Sequence, residues 1–209
     1  MYADRPMREY LADLGAKMAA PGGGSVAALA AAIGANLMSM VANFTIGKPA
    51  YRQAEAKVTA ILEKTRKYAD QLLGLVDADV EAFEKLSAGL KARGLDETAA
   101  DELYKAAIEP PFLVCEIAHN CLAMCDELAS LGNTGLVTDT AIAAIMLEGA
   151  FMSAKFNVYI NLERVKDTDY IAKIHRVLHP LEDAMPKLRE EVVEKCEDIV
   201  AGRGQGARG

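Results

Sequence analysis

Pro21-Gly22-Gly23-Gly24-Ser25-Val26-Ala27-Ala28-Leu29-Ala30-Ala31-Ala32-Ile33-Gly34-Ala35 opens the longest apolar run of the chain, which continues to about Ile46. Proline followed by three glycines stops any helix before it, and Ser25 stands where an N-cap belongs. Small residues then cover nearly every side of the helix that follows. A helix apolar all round must be covered all round. Its length tempts a membrane reading, but Asn36, Ser39, Asn43 and Thr45 interrupt it, and it reads as a buried core helix with no membrane partner. In a chain of 209 residues another subunit can supply part of the cover, so a homodimer is expected.

Outward from that segment the 3.6-residue period persists. Met7 to Ala19 reads as a short amphipathic helix. Gly47-Lys48-Pro49 ends the core helix, and a third helix starts near Tyr51 and runs on through Asp77 to Leu90. Another covers Glu97 to Ile108. Pro110-Pro111 is expected to open the next, which ends near Leu131. Two more follow, from Asp139, a natural N-cap, to Leu162 and from Asp169 to Val200, the last kinked or split at Pro180 and Pro186. Nothing reads as a strand. The expectation is an all-α bundle of long helices, one domain over residues 1–201, with a disordered Gly-rich tail over 202–209.

Composition narrows the function. The formal net charge is −7 and no basic stretch offsets it, which argues against a nucleic-acid partner. The first residues lack the apolar run of a secretory signal, and the four cysteines read as reduced core thiols, so a cytoplasmic location is expected. Cys115 with His119, Cys121 with Cys125, and His175 with His179 have i,i+4 spacing. The first two pairs point to different sides of one helix and make no four-ligand set, so no metal and no cofactor is expected.

Four stretches carry possible chemistry. Gly22, Gly23, Gly24 and Ser25 let a ligand approach the backbone at a helix start, where N–H groups favour an anion or a carbonyl oxygen. No Gly-Lys-Ser/Thr follows, so this is no nucleotide loop, and a tight turn between helices explains the same residues. Lys48, at a helix C-terminus, suits the dipole and can equally hold a ligand carboxylate. Asp77 and Asp79 sit in an apolar row. Asp79 shares a face with Phe83, whereas Asp77 points nearly the opposite way, so the two make no dyad. Asn157 and Asn161 stack on one face of an apolar helix and need hydrogen-bond partners. Asp139 lies 18 residues before Asn157, roughly 27 Å along a helix. These two serve one site only if it is elongated or built across subunits.

Taken in order, Pro21 to Ala28, Met40-Val41, Thr45-Ile46-Gly47-Lys48 with Tyr51, Asp79 with Ala82-Phe83, Gly132-Asn133, and Asn157-Val158-Tyr159-Ile160-Asn161-Leu162 resemble the cyclodeaminase/cyclohydrolase family of one-carbon metabolism. The resemblance spans about Met7 to Asp167. It departs at Thr138-Asp139, where the family usually has Ser-Asp. It implies an all-helical homodimer acting on a tetrahydrofolate adduct without metal or nucleotide. The expected reaction is hydrolysis of 5,10-methenyltetrahydrofolate to 10-formyltetrahydrofolate. The alternatives are cyclodeamination of formiminotetrahydrofolate with release of ammonia, and a non-catalytic folate-binding or scaffold helical protein. For either reaction the proton-transfer carboxylate is expected to be Asp79, then Asp139, then Asp77. Gly22 to Ser25 would approach the pterin or the benzoyl amide, and Asn157 and Asn161 would either hydrogen-bond the pterin edge or tie helices together. Lys48, aided by Arg52, Lys155 and Arg164, would hold a glutamate or polyglutamate tail.

Overall fold

A computed structural model describes residues 1–202. Among these there is no strand, and six α-helices account for most of the chain: α1 (Met7–Leu14), α2 (Gly23–Asn43), α3 (Glu55–Gly89), α4 (Glu97–Leu131), α5 (Val137–Leu162) and α6 (Thr168–Val200). The tail expected from Gly202 onward falls, from residue 203, outside the described residues.

The centre is α2. Ala27, Ala28, Ala31 and Ala35 have no exposed surface, and α3 and α5 pack closely against it. Small side chains allow this approach. A Cβ at Gly34 would stand 2.9 Å from Leu147 Cγ and 3.3 Å from the Ala143 carbonyl oxygen, so α5 rests almost on the α2 backbone. Ser39 Oγ and Thr65 Oγ1, 2.8 Å apart, join α2 to α3 inside the core, and the hydroxyl that accepts in this pair is left to donate to a carbonyl of its own helix. By length and composition α2 and residues 134–162 resemble membrane spans, but 61% of the α2 window is buried inside the bundle, which accounts for its hydropathy. The second window is only 39% buried.

Several boundaries differ from the sequence expectation. α4 runs unbroken through Pro110-Pro111. The pair removes two N–H donors, yet Ile108, Val114 and Cys115 flank it and are all buried in one core, and that burial outweighs the lost bonds. α6 likewise continues through Pro180 and Pro186, anchored by buried Leu178 and Met185. α1 stops at Leu14, and Pro49–Tyr51 forms a 3-10 turn before α3 begins at Glu55. Neither expected cap is one. Gly22 caps α2, leaving Ser25 buried inside the first turn. Leu136 occupies the cap position of α5, and Asp139 lies in its first turn, where a carboxylate suits the dipole.

All four cysteines are free and buried. Burial pushes the Cys115 and Cys121 thiols up to about 12 and Cys196 up to about 11, so these are packing thiols rather than nucleophiles. Among the described residues no three His, Cys, Asp or Glu side chains gather as a metal site.

Gly34→Val is expected to lose about 1–3 kcal/mol of stability, since the added methyls have no space against Leu147. Urea unfolding followed by circular dichroism checks this, and unchanged stability would show that the helices do not meet there.

Candidate functional site

At the N-terminal end of α2 lies a cavity of about 150 Å3, lined by Gly22, Gly23 and Gly24 of the loop and first turn, Asp79 and Phe83 of α3, and Asn157 and Asn161 of α5. Ala107 of α4 also borders it. Two of the three glycines stand where another helix crowds the turn. A Cβ on Gly24 would overlap the Asp79 carboxylate, and one on Gly23 would stand 3.3 Å from Asn157 Nδ2. Gly22 differs, for a Cβ there would meet nothing within 4 Å.

Asp79 is partly buried, and desolvation raises its pKa, opposed by a hydrogen bond from the Ser25 backbone N–H. The Ser25 hydroxyl is not free to meet a ligand as expected. It lies 3.1 Å from the buried Tyr10 hydroxyl, and the two are hydrogen-bonded. Tyr10 in turn is pushed up by burial and by the negative charge of Asp79, against the pull of its Ser25 bond. Asn157 Nδ2 donates to the Ser153 carbonyl at 2.9 Å and Asn161 Nδ2 to the Asn157 carbonyl at 3.0 Å. Each bonds its own helix, so neither ties two helices together, and their amide heads border the cavity.

The other proposed site residues lie elsewhere. Asp77 accepts from the backbone N–H groups of Tyr2 and Ala3, the latter at 3.1 Å, and so fastens the N-terminal turn to α3. It is buried and borders a different hollow from Asp79, as their opposed directions on the helix require. Lys48 and Asp139 belong to the far end of α2. There Thr45 Oγ1 accepts from the Asn133 N–H at 2.8 Å, Asn133 Nδ2 donates to the Phe44 carbonyl at 3.1 Å, and Tyr51 Oη accepts from the Thr134 N–H at 3.1 Å. The Thr45–Tyr51 and Gly132-Asn133 stretches thus form one knot, which holds the exposed Lys48 in place. α2 has 21 residues, so the knot and the cavity are roughly 30 Å apart within one chain. Tyr10 is the member of the cavity end that sequence reading missed. It lies on the apolar stripe of α1, and nothing in its spacing separates a core tyrosine from one bonded to a site serine.

The profile of the family described as Formiminotransferase-cyclodeaminase matches residues 6–179. This chain belongs to that family. It is 30% identical over 207 residues to a methenyltetrahydrofolate cyclohydrolase of Methylorubrum extorquens, covering 96% of this chain and 100% of that one. It is 33% identical to a rat formimidoyltransferase-cyclodeaminase over 87% of this chain, but spans only 35% of the rat protein. The crystal structure of a formiminotetrahydrofolate cyclodeaminase from Thermotoga maritima superposes with a TM-score of 0.90 at 28% identity, over 96% of this chain and 100% of that one. For a member of the formiminotransferase-cyclodeaminase family, the cavity and the knot are the two places where the ordered motifs converge.

Gly24→Ala is expected to displace the Asp79 carboxylate and abolish turnover in a folded protein, whereas Gly74→Ala on α3, where a Cβ meets nothing within 4 Å, leaves activity intact. Circular dichroism and turnover of the two variants check this. Equal activity would remove the carboxylate contact from the argument.

Proposed function

We propose that this chain hydrolyses 5,10-methenyltetrahydrofolate to 10-formyltetrahydrofolate, with Asp79 as the proton acceptor. The observation that carries the reading is the partly buried Asp79 carboxylate, packed on the glycine turn and facing a small cavity bordered by two asparagine amides. The end-to-end match with a methenyltetrahydrofolate cyclohydrolase supports it.

The bridging carbon of the substrate lies in a cationic amidinium and is already electrophilic. A carboxylate beside it stabilises the cation and takes a proton from the attacking water. A tetrahedral carbon forms between N5 and N10. The N5–carbon bond then breaks, N5 takes up a proton, and the formyl group stays on N10. One proton is released overall. Asn157 and Asn161 offer amide hydrogen bonds to the pterin edge, and Lys48 offers a cation for a glutamate or polyglutamate tail. No metal or nucleotide enters this scheme, and it is a cytoplasmic reaction of a homodimer.

Cyclodeamination is the second reading, supported by the likeness to the Thermotoga maritima enzyme. There N10 attacks the formimino carbon on N5 and ammonia leaves, which needs an acid. A carboxyl raised by desolvation can be that acid. The two readings separate by following 5,10-methenyltetrahydrofolate absorbance, its decay marking the first and its appearance from formimino-folate with ammonia marking the second. Silence with both substrates leaves a folate-binding or scaffold protein.

Asp79→Asn is expected to lower turnover on the order of 10²–10⁴-fold. It is also expected to raise Tm at pH 7. The folded pKa of Asp79 lies above its unfolded value, so its protonated form favours the fold and that advantage is lost as pH rises through the folded pKa. Below the ordinary carboxylate range, about 3.9, the two proteins should melt together. In the hydrolytic direction the wild-type rate should fall on the acid side at a pH above that range. Full turnover in a folded Asp79→Asn protein removes the assignment.

A further inference from the structure

Gly22 occupies the cap position of α2 and offers no side chain, so the first N–H groups of that helix need partners from elsewhere. The Asp79 carboxylate of α3 supplies one by accepting from the Ser25 N–H, and negative charge suits that end of the helix dipole. The close approach at Gly24 sets the same carboxylate down on the turn. Asp79 is therefore placed only as firmly as Ser25 is.

Ser25 follows three glycines, so its side chain is the first that can anchor the turn. It has no exposed surface, and its hydroxyl lies 3.1 Å from the Tyr10 hydroxyl. Tyr10 is the one buried residue among the described residues of α1, whereas Met7 and Leu11 beside it are exposed. Its ring meets Tyr2 edge-on, with centroids 5.4 Å apart. α1 thus reaches the core through a single tyrosine, and that tyrosine ends on Ser25. Tyr10 is not one of the residues that border the Asp79 cavity.

No charged side chain competes for Asp79. From α5 the cavity is bordered by Asn157 and Asn161, from α4 by Ala107, and from α3 by Phe83 and Leu86, all uncharged. The other acids on its own helix, Asp77, Glu81 and Glu84, border the separate hollow beside Tyr2. What acts on the carboxylate is the loss of water around it, opposed by the Ser25 N–H.

We propose that Tyr10 is a positioning residue of this site: its hydroxyl, through the Ser25 hydroxyl, fixes the glycine turn so that the Ser25 N–H stays on the Asp79 carboxylate. The inference rests on the folate reading for its rate measurements, but not for the placement of Asp79. Tyr10 touches no substrate and moves no proton. Without it the turn keeps three glycines and a serine with no anchor, and the carboxylate loses both its fixed place and the bond that favours its charge.

Tyr10→Phe removes one oxygen and keeps the ring. In hydrolysis of 5,10-methenyltetrahydrofolate it should lower kcat on the order of 10-fold, through misplacement of the carboxylate, and leave KM unchanged. The acid limb of the kcat profile should move to higher pH, because a carboxylate that loses an N–H bond holds its proton longer. Tyr2→Phe loses only the hydroxyl bond to Asp13 in the same N-terminal segment, and should leave kcat and the limb in place. Ser25→Ala should repeat the effects of Tyr10→Phe, and the double variant should be no worse than either, since both break one pair. A Tyr10→Phe protein that only melts earlier, with wild-type kcat and limb, overturns the proposal, as do additive effects in the double variant. Where Tyr10→Phe does not fold, Ser25→Ala carries the same expectations. Carbon-13 titration of the Asp79 carboxyl, assigned by its loss in Asp79→Asn, reads the placement without substrate. Its midpoint should rise in Tyr10→Phe, and an unchanged or lower midpoint overturns the proposal. If the wild-type chain turns over no folate, the functional reading fails and this titration alone decides the role of Tyr10.

Discussion

The contact between Gly24 and the Asp79 carboxylate constrains everything around it. A charged group can sit against a helix turn only where no side chain intervenes, and a Cβ at this position would overlap it. Gly23 and Gly24 therefore serve closeness rather than unusual backbone angles, since neither has a positive φ. The same economy of volume runs down α2. Alanine and Gly34 bring α3 and α5 near enough for Asn157 to share the cavity with an aspartate from a different helix. An isoleucine-rich α2 would hold the helices farther apart and separate these groups.

Closeness has an energetic consequence at Asp79. Taking the carboxylate partly out of water disfavours its charge, and the Ser25 N–H returns only part of what solvent gave. The group is thus held in a state that a cationic ligand improves. An amidinium placed in the cavity would draw the Asp79 pKa back down and favour the ionised form that can accept a proton from water. The Asp101 cluster shows the opposite arrangement. Burial there would raise the pKa, but the Lys166 N–H and the Lys105 ammonium hold Asp101 below the usual carboxylate range, and it knits α4 to the segment before α6. The saturated carboxylate is a brace, and the unsaturated one is available for chemistry.

Much of this was legible in the sequence. Helical periodicity gave the all-α class, and the direction of Asp77 relative to Asp79 on one helix separated the two before any coordinates. Their separation is real, for Asp77 is spent on the Tyr2 and Ala3 amides while Asp79 borders the cavity. What failed was punctuation. Pro110-Pro111 and the two prolines of α6 read as breaks, because local rules count the lost N–H and not the core that holds both flanks. Ser25 and Asp139 read as caps, but each lies inside its helix, and Ser25 bonds a tyrosine from an element that pattern alone could not bring near.

The spacing of the motifs follows from the same geometry. Residues along a single helix can cooperate at one small reacting centre only if they lie within a turn or two. Family motifs instead fall at both ends of α2 and both ends of α5. In a one-chain site that distribution wastes half of them. In the proposed homodimer an antiparallel helix pair would turn the two ends of one helix into neighbours, and would do so twice. A second copy would also cover the face of α5, which, unlike α2, keeps most of its apolar window uncovered within the chain.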